Sequence, residues 1–232
     1  MEDMHIDKQG ACNVLGIALA VGRAKLPRNV VFVLAVAENA VDANACKPHN
    51  IMRSRKGLTV TNGNTDAEGR LVLGDSLYAV QERRRPHTII DMATLTGACV
   101  VALGEYAAGA FGNSRSLSDA VAAAGAARGE LLWPMPVLPE HTAELTACQF
   151  ADLKSTGAGR YGGACTAAAF LKQFIGLNKE ADKDGAYKPA WLHLDIAGPG
   201  MIKGHATGFG TLSVIEYLTN APRGAAHAQD EA

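Results

Sequence analysis

The chain contains an octet, Asn64-Thr65-Asp66-Ala67-Glu68-Gly69-Arg70-Leu71, in which acidic and basic side chains stand at every second position. If this segment is extended, Asp66, Glu68 and Arg70 project to one side, because side chains two residues apart share a face of a strand. Carboxylates suit divalent metals, and the planar fork of an arginine suits an anion bound beside the metal. A solvated acidic loop, with the arginine paired to the glutamate, is the alternative interpretation.

Other motifs that hold metals or activate nucleophiles are excluded. Read as a calcium loop from Asn62, the sixth position is Ala67 where glycine is required, and the twelfth is Leu73 where an acid is required. The chain has no His-Glu-x-x-His and no Gly-x-Ser-x-Gly. His193 alternates with Asp195 in an otherwise apolar run, so we interpret it as a hydrogen-bonded core residue rather than a ligand.

The composition is that of a globular protein able to bury a full core. The 232 residues are 48% hydrophobic and 19% charged, with a formal net charge of -1. The basic run Arg83–Arg85 is predicted to end a helix, where cations complement the dipole, so nucleic-acid binding is not expected. Five widely spaced cysteines predict buried, reduced thiols. The absence of an 18-residue apolar stretch and of signal-peptide features predicts a soluble, cytoplasmic protein without membrane contact.

Short β-branched runs alternate with longer helical patterns, which predicts an α/β domain with a mainly parallel sheet. Buried strands are predicted at 29–36, 87–93 and 190–196, and helices at 11–24, 68–83 and 164–175. In such sheets, ligands and substrates bind at the carboxyl ends of the strands. Asp66, Leu95 and Ala197 all fall at or just past predicted strand ends, so they are expected to share one rim.

The octet resembles, residue for residue, the signature of the leucine aminopeptidase family, the cytosolic dinuclear metallo-exopeptidases. Four further segments resemble blocks of that family: Met4–Ala11, Ala93–Ala98, Gly163–Leu171 and His193–Gly198. We therefore interpret residues 1–220 as the C-terminal part of the aminopeptidase catalytic domain and residues 221–232 as a polar, frayed tail. The resemblance implies a three-layer α/β/α fold, similar to that of zinc exopeptidases, with a mainly parallel central sheet.

The resemblance also implies a metal site built from carboxylates. Two divalent ions, zinc or manganese, would activate a bridging water and polarise the peptide carbonyl. Asp66 would bind one ion through its side chain and main-chain carbonyl, Glu68 would bridge both ions, and Asp7 would bind the second. Arg70 would hold a bicarbonate ion as proton shuttle. Asp3 replaces Asp7 if the alignment slips by four positions.

On the substrate side, the resemblance implies contacts between the peptide main chain and the backbone at Leu95 and Gly97. Ala197 would border the side-chain pocket, and Asn64 and Thr94 are assigned to the same substrate site. A tight structural turn is an equally good interpretation for Thr96. The implied activity is release of Leu and other apolar N-terminal residues from peptide substrates by a homohexamer.

The sequence also departs from the family pattern. Lys8 and Gln9 stand where relatives carry Met and a small residue, which changes the surroundings of the second metal. The family's upstream Lys and Asp that complete the metal shell, its second Lys and its N-terminal domain precede the segment at which this chain starts. We therefore expect a fragment, a processed piece whose partner segment is another chain, or a shortened homologue, with under-ligated metals in each case. A non-catalytic structural or interaction protein that retains the aminopeptidase scaffold is the competing interpretation.

Overall fold

The computed structural model describes residues 4–221 and residue 229. The α-helices of this part of the chain are α1 (Gln9–Arg23), α2 (Glu68–Arg84), α3 (Gly97–Leu103), α4 (Arg115–Ala126), α5 (Pro139–Thr146), α6 (Gly163–Lys172) and α7 (Thr211–Asn220). The strands are β1 (Ile51–Arg53), β2 (Thr59–Thr61), β3 (Thr88–Ala93), β4 (Ala107–Gly112), β5 (Leu131–Pro134), β6 (Leu153–Lys154), β7 (Ala190–Asp195), β8 (Met201–Ile202) and β9 (His205–Ala206).

The chain divides into two compact units. The first unit comprises Met1–Leu34, His87–Met135 and Pro189–Ala232, and the second comprises Ala35–Pro86 and Pro136–Lys188. The predicted frayed tail, 221–232, lies outside the described residues apart from Ala221 and Gln229.

A four-stranded sheet in the order β3-β7-β4-β5 forms the centre of the first unit. β3 runs parallel to β7, with Ala93 opposite Asp195, and β4 runs parallel to β5. The pairing of β7 with β4 is antiparallel. Because two of the three pairings are parallel, the predicted mainly parallel sheet is confirmed here, and β3 and β7 confirm the predicted strands at 87–93 and 190–196.

One face of this sheet is covered by helices α1, α4 and α7, and α7 contacts both α1 and α4. Each helix turns an apolar stripe towards the strands, and the buried cluster that results includes Ile17, Val121, Leu192, Leu194 and Val214. Burial of each such side chain stabilises the fold by about 1.5–3 kcal/mol. Packing against the sheet therefore fixes the position of α1, whose N-terminal end matters for the site.

Helix α1 crosses β3 at very short range. A Cβ atom at Gly10 would lie 2.1 Å from the carbonyl oxygen of Met92, which no side chain tolerates. The obstacle is backbone, so it cannot move aside. This close approach holds the first turn of α1, with Gln9 in it and Asp7 just before it, against the end of β3.

The opposite face of the same sheet carries a buried polar cluster. His193 Nδ1 lies 2.6 Å from Asp91 Oδ1, and Trp191 Nε1 donates a hydrogen bond to Asp91 Oδ2 over 2.7 Å. All three residues are buried. The prediction that His193 is a hydrogen-bonded core residue is confirmed.

The second unit contains a three-stranded sheet, β1-β2-β6, with helices α2, α5 and α6. Helix α6 contacts both α2 and α5, and Phe170 and Leu171 on it are fully buried. Gln81 of α2 is also fully buried; it donates to the carbonyl of Phe174 over 2.8 Å and accepts from the N–H of Gly176 over 2.7 Å. These contacts hold α2, the helix that follows the acidic octet, against α6.

The predicted helices at 11–24, 68–83 and 164–175 are confirmed as α1, α2 and α6, with ends that differ by at most three residues. The prediction for the basic run is also confirmed. Arg83 and Arg84 occupy the last turn of α2, and Arg85 follows in the left-handed conformation with φ of 44°.

The predicted buried strand at 29–36 is wrong. The segment contains no strand, and Val31, Val33 and Val36 are 48%, 42% and 67% exposed. Phe32 packs instead against the core of the first unit. A β-branched run is typical of a strand, but a strand also needs a hydrogen-bonded neighbour, and no strand of the described chain pairs with this segment.

The cysteines are free thiols, as predicted, but they are not uniformly buried. Cys99 and Cys165 are buried, Cys148 is half-buried, and Cys12 and Cys46 are exposed. Cys12 lies on the face of α1 that is turned away from the core, and Cys46 lies in the loop before β1. The expectation of a buried thiol is therefore wrong for these two residues, because their apolar neighbours in sequence are not neighbours in the core.

Candidate functional site

The acidic octet forms a turn that leads into a helix. Thr65–Ala67 make one 3₁₀ turn, and Glu68 begins α2. The Asn64 side chain accepts a hydrogen bond from the backbone N–H of Asp66 over 3.1 Å, which caps the turn. An extended octet is therefore excluded, because this cap and the favourable position of a glutamate at a helix N-terminus select the turn.

In this turn the carboxylates of Asp66 and Glu68 are not occupied by hydrogen-bond donors of the described residues. Asp66 is exposed and Glu68 is half-buried, and within the described residues neither carboxylate accepts a hydrogen bond. Arg70 differs, since its side chain is buried and its Nη1 donates to the carbonyl of Ser155 over 2.9 Å. A carboxylate without a protein donor keeps its lone pairs for a cation.

Two loops meet at one edge of the sheet in the first unit. Leu95 follows β3 and Ala197 follows β7. Because β3 and β7 are adjacent and parallel, these loops leave the sheet at the same edge, as expected. Asp66 instead follows β2, which belongs to the three-stranded sheet of the second unit, so the expectation that all three residues share the edge of one sheet is wrong for Asp66.

Asp195, the last residue of β7, ties these two loops together. Its Oδ1 accepts hydrogen bonds from the backbone N–H groups of Leu95, Thr96 and Ala197 over 3.2, 3.3 and 3.2 Å. Its Oδ2 accepts from the Thr96 hydroxyl over 2.6 Å. Because Asp195 is 1% exposed, four donors around one buried carboxylate fix the backbone that was assigned to substrate binding.

Thr96 has a structural role in the tight turn between β3 and α3, which is one of the two interpretations of this residue. Its Oγ1 accepts a hydrogen bond from the N–H of Cys99 over 3.0 Å and so caps α3. Gly97, the first residue of that helix, is exposed.

Asp7 lies in an exposed turn just before α1. The Thr94 hydroxyl donates to Asp7 Oδ1 over 2.7 Å. The first unit thus brings together a residue predicted to bind metal and one predicted to bind substrate. Asp3, the alternative to Asp7, lies outside the described residues.

The predicted metal ligands are of the right chemical type for divalent ions, but the described residues do not bring three of them together. Asp66 and Glu68 belong to the second unit and Asp7 belongs to the first. Carboxylate oxygens suit zinc and manganese. Among the described residues, however, no three or more His, Cys, Asp or Glu side chains form a group that could hold an ion.

Comparison with known proteins decides the family. The profile of the cytosol aminopeptidase family, catalytic domain, matches residues 1–215. The chain belongs to the cytosol aminopeptidase family. A probable cytosol aminopeptidase of Persephonella marina is 44% identical over 230 residues, which cover 95% of this chain and 43% of that protein. The corresponding protein of Chloroherpeton thalassium is 42% identical over 226 residues, which cover 95% of this chain and 42% of that protein.

A solved structure extends this comparison to the fold. A mutant of tomato leucine aminopeptidase has a TM-score of 0.79 and 38% sequence identity, over 90% of this chain and 40% of that chain. The likeness confirms the predicted α/β/α fold class. The cytosol aminopeptidase family consists of metal-dependent peptidases, and this chain spans less than half the length of the relatives that it matches.

None of the described helices is both long enough and apolar enough to cross a membrane.

Sequence reasoning missed two residues of the candidate site. Asp195 lies beside His193 in a family-like segment but receives no site role from the sequence, although an acid at the end of an apolar strand and next to a tight turn is a signal for a loop-capping carboxylate. Gln9 was noticed only as a departure from the family. It is 5% exposed and lies in the first turn of α1.

Proposed function

We propose that the protein releases N-terminal residues from peptides, with a preference for Leu and other apolar side chains. The available carboxylates of Asp66 and Glu68 at the start of α2 carry this proposal, because such oxygen donors bind divalent cations and the family is metal-dependent. Assembly as a homohexamer in the cytoplasm, which the resemblance implies, is part of the same proposal.

In this proposal Asp66, Glu68 and Asp7 are metal ligands, and two zinc or manganese ions are the cofactors. Zinc takes about four ligands, so donors outside this set have to complete each shell. Arg70 is the proposed holder of a bicarbonate ion. The planar fork of its guanidinium supports that role, since such a fork can donate two parallel hydrogen bonds to the oxygens of a small planar anion.

The substrate side of the proposal rests on the loops tied by Asp195. The peptide main chain is proposed to bind along Leu95 and Gly97, with Thr94 and Asn64 in the same substrate site and Ala197 beside the side-chain pocket. Binding groups that are held rigid before the substrate arrives lower the entropic cost of orienting it. The four hydrogen bonds to Asp195 provide that rigidity for Leu95 and Ala197.

Hydrolysis of leucine p-nitroanilide by the protein at its natural length, supplied with Zn²⁺, Mn²⁺ or Co²⁺, tests the proposal. We expect Glu68→Gln to lower turnover by about 100-fold or more, because even the loss of a residue that only supports a metal ligand typically costs about 10–100-fold. Glu180→Gln, a change at an exposed glutamate, is the matched control and should leave turnover unchanged.

One observation favours the competing function, a non-catalytic scaffold. The described residues do not gather three metal-binding side chains. A wild-type protein that hydrolyses no peptide substrate with any of the three metals would support this second function. Turnover that depends on Glu68 would exclude it.

A further inference from the structure

Gln9 is a buried side chain with an unused hydrogen-bond donor. It is 5% exposed, and its Nε2 has no hydrogen-bond partner among the described residues. Buried amide donors are almost always paired, because an unpaired one loses its bonds to water without replacement. A buried donor of this kind at a candidate site points to a group that arrives with a ligand.

The surroundings of Gln9 connect it to the substrate side of the first unit. A Cβ atom built on Gly200 would lie 3.4 Å from Gln9 Oε1 and 3.4 Å from Thr94 Cγ2. The same Cβ would lie 2.6 Å from the carbonyl oxygen of Ile196, so position 200 has no room for a side chain. The Gln9 amide and the Thr94 methyl group therefore adjoin the same bare stretch of backbone.

The hydroxyl of Thr94, the neighbouring polar group, already donates a hydrogen bond within the protein. The Thr94 hydroxyl donates its proton to Asp7 over 2.7 Å. Gln9, whose Oε1 lies as close to the Gly200 Cβ position as the Thr94 methyl group does, still has a donor to offer. Gly200 lies three residues after Ala197, the residue assigned to the border of the side-chain pocket.

We propose that Gln9 is a specificity-determining residue, whose Nε2 donates a hydrogen bond to a side-chain oxygen of the substrate's N-terminal residue. The inference rests on the proposed aminopeptidase function and names a further substrate class for the same site: peptides that begin with Asn or Asp. These side chains have nearly the shape of Leu but present an oxygen where Leu presents a methyl group. A substrate site that accepts Leu and adjoins a side chain with one unpaired donor should therefore accept them as well.

The test compares asparagine p-nitroanilide with leucine p-nitroanilide, using the protein at its natural length with Mn²⁺. The measured quantity is the ratio of kcat/KM for the two substrates. Gln9→Met keeps a similar volume and removes the donor, so the Asn-to-Leu ratio should fall by about tenfold, the effect expected of one hydrogen bond in a dry pocket. Gln81→Met is the matched control, since Gln81 is a buried glutamine whose amide is fully engaged within the second unit, and its replacement should leave the ratio unchanged.

A second variant keeps the test decisive if Gln9→Met does not fold. Gln9→Glu has the shape of the native residue and replaces the donor by an acceptor, so it should lower the ratio at least as much. An unchanged ratio in a folded variant that still cleaves the Leu substrate would overturn the role of Gln9 alone. A wild-type protein that cleaves neither substrate would overturn the proposed function, and this inference with it.

Discussion

The acidic turn at 64–70 and the loop pair at 94–97 and 195–197 use carboxylates in opposite ways. Asp195 is buried, and four protein donors occupy its oxygens. Asp66 is exposed, and its carboxylate accepts no hydrogen bond within the described chain. One acid is held by protein donors at the loops proposed to bind substrate, whereas the other has no protein donor among the described residues and lies at the proposed metal site. The hydrogen-bond partners of each acid, rather than its presence in a motif, separate the buried structural carboxylate from the exposed one.

The largest expected effect concerns stability. Asp195→Ala leaves four donors without an acceptor in a buried site, so the free energy of unfolding should fall by about 3–5 kcal/mol. Asp66→Ala removes an exposed carboxylate and should change it by no more than about 0.5 kcal/mol. Urea unfolding of the two variants measures both values. Equal losses would break the distinction between the two regions.

A smaller effect is expected where α1 is held against β3. Gly10→Ala places a methyl group against the Met92 carbonyl and should destabilise the protein by about 1–3 kcal/mol. Gly22→Ala is the control in the same helix, because a Cβ there meets nothing within 4 Å, and it should stabilise by up to about 1 kcal/mol. Thermal unfolding followed by circular dichroism gives both shifts. A tolerated Gly10→Ala would show that the N-terminal turn of α1 is not fixed by β3.

The smallest expected effect is a difference in reactivity between two cysteines, Cys148 and Cys165, whose pKa values are shifted in opposite directions. A hydrogen bond with the Thr61 hydroxyl, helped by backbone N–H groups, lowers the pKa of Cys148, whereas burial raises the pKa of Cys165. As pH rises from 6 to 9, Cys148 should therefore become reactive towards iodoacetamide at lower pH than Cys165. Mass spectrometry of modified peptides follows both residues. Thr61→Val should move the reactivity of Cys148 to higher pH, and earlier modification of Cys165 would contradict the assignment.

The sequence predicted the helices better than the site geometry. The 3.6-residue apolar period predicted α2 and α6, because each helix has to bury one stripe. The run at 29–36 has the composition of a strand, but no strand of the described chain forms hydrogen bonds with it. Composition alone does not show whether such a neighbouring strand exists. The octet points to candidate site residues at 66, 68 and 70, but their conformation depends on the Asn64 cap. The role of Asp195 comes from contacts between residues about 100 positions apart, which no local pattern records.

Binding of Mn²⁺ to the purified protein, measured by isothermal titration calorimetry, tests the central claim most directly. The claim is that Asp66 and Glu68 are open carboxylates that hold a divalent ion. We expect the 232-residue chain to bind at most one ion well, and Asp66→Asn combined with Glu68→Gln to weaken that binding by about 100-fold. Asp119→Asn, at an exposed aspartate paired with Arg115, is the control and should bind as the wild type does. Undiminished binding by the double variant would contradict the account.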